Sequence, residues 1–410
     1  MQPTPELLLM CLGRKDPGRL AERLSRLSEA GWEDLFQQAG RHGLDPLLYR
    51  RLKTLVPAPA MPASIVERAQ LAHLRQAASA MRLYQQFAEV VTALGRAGFP
   101  SIALKGAHLA QLAYPNPALR PMSDLDLLVR AADLAGAEAA LLQLGYRSER
   151  DYDIGLACAK SQHLPPLTRP DAASLVELHW TLLAPRAPFA VDVDGLWQRA
   201  RPARIAGVEV LTLSPEDLLL HLALHATFQD RLLGGLRPLV DVAVTLERYR
   251  DELDWGQFVA RAREWGAARC AYLTVCLVGD LLGAPVPDEA LSGLRPDDFN
   301  PQLVAWAGEQ VMTDLGDLPP LSANLARFWG CGRLRDKLAL FLSIVFPSGR
   351  RLAVLYPKLH DSPRAYLQLL RLRDLLWRHG PAARGLVRRD QDMLAWAERE
   401  SVLFEWMTSA

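Results

Sequence analysis

Apolar positions recur at three- and four-residue intervals through the first hundred residues, the spacing that lines one face of a helix. ELLLMCL, GRLAERLSRLSEAGW and LDPLLYRRL read as short helices within 4–56, with a turn at LFQQAGRHG. Pro57, Pro59 and Pro62 interrupt the run, because proline lacks the amide donor that a helix needs. A long helical stretch follows over 64–97 and ends at GRAGFP.

The period then shortens. SIALKG (101–106) reads as a short apolar strand closed by Gly106, AHLAQLAY (107–114) as a helix, and YPNPALRP as a turn. DLDLLV (124–129) is a second strand, and ADLAGAEAALLQLG (132–145) a helix stopped by glycine. YDIGLAC (152–158) reads as a third strand. SLVELHWTL (174–182) alternates as a fourth, with Glu177 and His179 on one side and Val176, Leu178 and Trp180 on the other. VEVLTL (208–213) adds an edge strand. From Ser214 the pattern is helical again, opening with a Ser cap, a first-turn proline and acidic residues in SPEDLLLHLALHATF. RPLVDVAVTLERYR and WGQFVARAREWGAARCAYLTVCLVGDLLG continue it. Residues 284–301 read as a turn region, and further helices are expected at 302–316, 332–346, 362–378 and 389–407. The class is therefore α+β: an N-terminal helical segment (1–97), a small mixed-sheet core (98–213) and a C-terminal helical domain (214–410).

Composition narrows the function without naming it. The chain has 410 residues, is 50% hydrophobic and carries a net charge of +1, so no global field draws it to nucleic acid or an anionic membrane. Neither LLLMCL nor LALFLSIVF is long enough to span a bilayer, and the N-terminus lacks a secretory pattern. Cys11, Cys158, Cys270, Cys276 and Cys331 are scattered with no CxxC pair, which points to a reducing compartment, the cytoplasm. Of the 47 basic residues 41 are Arg, so a Lys beside a Gly, as in Lys105-Gly106, stands out.

The chemistry gathers in 104–129. Alternation sends Asp124 and Asp126 from one face of DLDLLV, roughly 6.6 Å apart along the strand, while Leu125 and Leu127 turn to the core. Two carboxylates on a rigid element suit Mg²⁺ held against nucleotide phosphates, with two ions bridging the attacking and leaving oxygens. Glu177, in an otherwise apolar strand, is the candidate third acid; unpaired burial there would be costly. Lys105 and Arg120 are candidate phosphate contacts, and Gly106 permits close backbone approach. His179 shares the side of Glu177, and a structural hydrogen bond is its simplest reading. His221 and His225 are spaced like metal ligands but lack the Glu of HExxH, so packing is expected. Asp241, in an apolar helix, needs a donor, for which Arg237 one turn earlier is the nearest candidate.

These motifs resemble the nucleotidyltransferase superfamily with the DNA polymerase β-type core. More closely they resemble an uncharacterised bacterial nucleotidyltransferase family with an LKG, an Arg ahead of a DxD, and an ELHW-like segment. Here these are Leu104-Lys105-Gly106, Arg120, Asp124-Leu125-Asp126 and Glu177-Leu178-His179-Trp180. The resemblance spans about residues 90–300. It implies a metal-dependent, NTP-using core in which Asp124, Asp126 and Glu177 are the catalytic metal ligands. It also implies transfer of a nucleoside monophosphate to a hydroxyl or phosphate of a small-molecule or peptide-derived acceptor, with a biosynthetic protein as possible partner. Transfer to tRNA and a non-catalytic scaffold are the alternatives. The superfamily's usual Gly-Ser is Lys105-Gly106 here, replacing a short hydroxyl with a flexible point charge.

Overall fold

A computed structural model describes residues 5–14, 16–148, 152–313, 363, 365–374 and 391–409. The chain divides into two units, Met1–Met312 and Thr313–Ala410. In the second, residues 365–374 and Gln391–Thr408 are helical. The helix expected at 332–346 lies outside the described residues.

The first unit opens with five helices: α1 (Pro5–Leu12), α2 (Pro17–Ser25), α3 (Glu29–Arg41), α4 (Asp45–Thr54) and α5 (Ala63–Arg96). Side-chain caps account for two of the starts. Asp16 accepts from the amide of Arg19, and Ser28 from that of Gly31. LFQQAGR, expected as a turn, is the second half of α3, and the chain reverses only at Gly43, whose φ is +65°.

The core is an open seven-stranded mixed sheet. Its strands are β1 (Ile102–Ala103), β2 (Asp124–Leu128), β3 (Arg147–Ser148), β4 (Leu167–Thr168), β5 (Leu175–His179), β6 (Arg201–Ile205) and β7 (Val208–Thr212). The spatial order is β3-β4-β5-β2-β1-β7-β6. At its centre β2 runs parallel to β5, with Asp126 opposite Glu177 and Leu128 opposite His179. On one face Leu125, Leu127, Val176 and Leu178 are buried against α5 and α7 (Leu134–Gln143), joining Phe87, Val90 and Leu141 in one cluster. Each such side chain contributes about 1.5–3 kcal/mol by leaving water, so the alternation of β2 and β5 is fixed by packing.

Two strand expectations are corrected. YDIGLAC forms α8 (Ile154–Cys158), because the Asp153 carboxylate accepts from the amide of Leu156 at 2.7 Å and caps a helical turn. VEVLTL is β7, as expected, but lies inside the sheet between β1 and β6. The edge belongs to β6, whose charged, proline-containing RPARI hides its strand character and suits an exposed rim.

Six helices follow: α10 (Pro215–Leu224), α11 (Arg237–Arg248), α12 (Trp255–Glu264), α13 (Ala268–Leu282), α14 (Asp288–Leu294) and α15 (Pro301–Met312). Two short helices, α6 (Lys105–His108) and α9 (Val193–Arg199), lie within the sheet region. Ser214 caps α10 through the amide of Asp217, as its motif indicates. The single periodic run from Trp255 splits at Gly266, whose φ of +69° breaks it into α12 and α13. The region expected as turn at 284–301 contains α14. No helix among the described residues is long and apolar enough to cross a membrane.

Candidate metal and nucleotide site

On the face of the sheet opposite the α5–α7 layer, parallel register brings Asp126 beside Glu177, and His179 follows on the same side of β5. One donor atom from each of Asp126, Glu177 and His179 lies within 4.8 Å of the others. His179 Nε2 stands 3.0 Å from Asp126 Oδ1 and 3.5 Å from Glu177 Oε2. Two oxygen donors and one nitrogen donor converging at this spacing fit a divalent cation.

Lys105 reaches the same acid from β1. The amide of Leu104 donates to the carbonyl of Asp126 at 3.1 Å, so the chain leaves β1 directly alongside β2. Lys105 then adopts φ +24°, a conformation costly for a residue with a Cβ, and its Nζ lies 3.1 Å from Asp126 Oδ2. Both oxygens of Asp126 are thus engaged, one by an ammonium and one by an imidazole.

The electrostatics separate the two aspartates. Burial works against ionisation of Asp126, but the Lys105 charge and the His179 hydrogen bond outweigh it and hold the carboxyl well below the usual range. Asp124, half-buried at the start of β2, is pushed up, first by burial and then by the negative charge of Asp126; Glu177 adds to this, while Lys105 and Arg120 oppose it. His179 loses basicity to burial, yet its hydrogen bonds to Asp126 and Glu177 raise it above an ordinary imidazole. A second imidazole, His163, lies 3.7 Å from Glu177 Oε2, and its ring centroid is 5.0 Å from that of His179.

Arg120 is placed differently from Lys105. Its Nε and Nη2 grip Asp241 of α11 at 2.8–3.2 Å, and the Tyr114 hydroxyl donates to the same carboxylate at 2.8 Å. Arg120, with Tyr114, is therefore the donor for Asp241, in place of Arg237. The remaining Nη1 lies against Gly106, 3.1 Å from where a Cβ would stand. Gly106 therefore packs closely under Arg120 and Met122. His221 of α10 is buried, and its pKa falls well below the ordinary value, through burial first and then the nearby charges of Lys105, His225 and His179. His225 pairs with Asp230 at 3.1 Å instead of sharing a metal with His221.

Sequence reading thus located Asp126, Glu177 and Lys105 in one place, with Asp124 in their field. It undervalued His179, although the i, i+2 relation to Glu177 was a usable signal. It gave no sign of His163, which a loop delivers through a bridge to His179.

An open mixed sheet flanked by helices, carrying paired acids on a central strand and a third on its parallel neighbour, is the architecture of a polymerase β-type nucleotidyltransferase. The comparison with protein families agrees: the chain belongs to the uncharacterised nucleotidyltransferase family, whose model matches residues 28–283. The match begins earlier than the motif resemblance, taking in most of the N-terminal helices. No curated protein and no solved structure matches the chain.

Proposed function

We propose that the protein transfers a nucleoside monophosphate from an NTP to a hydroxyl or phosphate of a small-molecule or peptide-derived acceptor, with 98–213 as the catalytic core. The observation that carries this reading is the convergence of Asp126, Glu177 and His179 within 4.8 Å on one face of the sheet. In the proposal Asp124, Asp126 and Glu177 hold divalent cations, Mg²⁺ by the acidic character of the set. His179 either joins them or fixes the Asp126 carboxylate. Bound cations would supply charge neutralisation to the triphosphate.

The remaining chemistry falls to the chain itself. Lys105 gives up Asp126 for phosphate oxygens, and the Nη1 of Arg120 adds positive charge beside Gly106. The acceptor oxygen bonds to the α-phosphorus, the α–β phosphoanhydride breaks and pyrophosphate leaves. The acceptor proton passes to Glu177, which is partly exposed with its side chain at 18%.

The test is isotope exchange between labelled pyrophosphate and each NTP, run with candidate acceptors. Exchange should require a divalent ion and fall about 100-fold or more in Asp124→Ala and in Asp126→Ala. Undiminished exchange in both variants overturns the site.

A further inference from the structure

A loop lays a second histidine against the acids. Residues 162–164 are held to β5 by two backbone hydrogen bonds: the amide of Leu164 donates to the carbonyl of Leu178 at 2.9 Å, and that of Trp180 to the carbonyl of Gln162 at 3.1 Å. These bonds flank an antiparallel bridge between His163 and His179. Theirs is the non-hydrogen-bonded kind of pair, in which both side chains leave on one face and stand closest. The ring centroids are accordingly 5.0 Å apart.

The His163 ring is also locked in one tautomer. Its Nδ1 lies 2.7 Å from the carbonyl oxygen of Leu164. A carbonyl only accepts, so Nδ1 carries the proton and Nε2 of the neutral ring presents a lone pair. Metal-bound histidines share this arrangement, donating the other ring N–H to a carbonyl or carboxylate. The bare Nε2 lies 3.7 Å from Glu177 Oε2, and His179 Nε2 lies 3.5 Å from the same oxygen. Asp126 Oδ1 is 3.0 Å from His179 Nε2, while Lys105 holds the other oxygen of Asp126. Four donor atoms thus run in sequence, from Asp126 through His179 and Glu177 to His163, with gaps of 3.0, 3.5 and 3.7 Å. Neighbouring ligands on a tetrahedral zinc ion stand about 3.4 Å apart, given bonds of about 2.0–2.1 Å. The side chains of His163 and Glu177 are 22% and 18% exposed, so an ion reaches the set from solvent.

Donor type decides which ion. Acids alone suit Mg²⁺, which prefers oxygen and keeps its water. Two imidazoles beside Glu177 favour a softer ion at that position. We infer that His163 is a metal ligand and that, with His179, Glu177 and Asp126, it makes a site for a zinc-class ion. The oxygen-only position at Asp124 is left to Mg²⁺. That the zinc-class ion sits beside a triphosphate rests on the nucleotidyl-transfer reading; the coordination set does not.

The test is calorimetric titration of the full chain, freed of metal by a chelator, with Zn²⁺ and with Mg²⁺, alongside His163→Gln. The parent should bind a single Zn²⁺ about 100-fold more tightly than Mg²⁺. His163→Gln, which keeps the size of the side chain, should weaken zinc about tenfold or more and leave Mg²⁺ affinity unchanged. Proton NMR of the Co²⁺-loaded parent supplies a readout that needs no variant: two imidazole N–H signals should be shifted by the metal. The inference fails if Zn²⁺ binds no more tightly than Mg²⁺, if His163→Gln keeps the parent's zinc affinity, or if fewer than two shifted imidazole signals appear. Zinc held by cysteine thiolates would survive His163→Gln and so also overturns it. If zinc binds as stated while no NTP exchange is found, the coordination set stands and its place beside a triphosphate falls. Exchange that runs on Mg²⁺ in a chain that does not bind zinc keeps the transfer reading and removes this inference.

Discussion

Removing the Arg120 side chain tests how the site is braced. Arg120 makes three contacts with Asp241 at 2.8–3.2 Å, and both side chains are nearly inaccessible, at 12% and 5%. The pair ties the loop before β2 to α11. In Arg120→Ala, Asp241 keeps only the Tyr114 hydroxyl and becomes a buried, uncompensated charge. Breaking such a pair from one side costs about 3–5 kcal/mol. Against a typical total of about 5–15 kcal/mol, this is a large fraction. Removing all three polar partners together, as Arg120→Met/Asp241→Leu/Tyr114→Phe, leaves no orphan and should recover most of the loss. Urea unfolding followed by tryptophan fluorescence gives the differences directly. A loss below about 1 kcal/mol in Arg120→Ala, or a triple variant no more stable than the single one, refutes the reasoning. NTP affinity of the triple variant then tests the proposed phosphate contact of Arg120 apart from bracing.

Two further outcomes follow from the same coordinates. His108 is fully buried, its Nε2 shares a 2.7 Å hydrogen bond with the Tyr249 hydroxyl, and burial, aided by Arg248, lowers its pKa to about 4. Below about pH 6.5 the unfolded chain therefore takes up a proton that the folded chain refuses until about pH 4, so stability rises with pH across that window by about 3 kcal/mol. Urea midpoints measured through the window should show this slope, and His108→Gln should reduce it, buried His221 adding a contribution of the same sign; an unchanged slope excludes His108 as a source. Gly106→Ala should cost about 1–3 kcal/mol, because the new methyl meets Arg120 Nη1 at 3.1 Å and Met122 at 3.3 Å; a melting temperature equal to the parent's would contradict that packing.

How much of this was legible in the sequence depends on the range of the interaction. The long helix, α10 with its Ser214 cap, and the alternation of β2 and β5 were readable because each is written within a few consecutive residues. Strands β3 and β4 are two residues each, too short to show a period, and a capping Asp153 turned an apolar run into α8. Within the site, Asp126 and Glu177 were found because both acids interrupt apolar strands. The partner of Asp241 was misassigned because local spacing favoured Arg237, whereas the actual donors come from a distant loop. His163 belongs to the same class: only the folded chain brings it to His179.

The in-register pairing of β2 with β5 has a further consequence. The distance between Asp126 and Glu177 is set by hydrocarbon on the far side of the sheet, where Leu125, Leu127, Val176 and Leu178 lock the two strands. A slip of β2 by one position would turn Asp124 and Asp126 toward the α5–α7 layer and carry Leu125 and Leu127 out of it. The packing of that layer therefore also fixes the alignment of the carboxylates, through residues on the other face of the sheet.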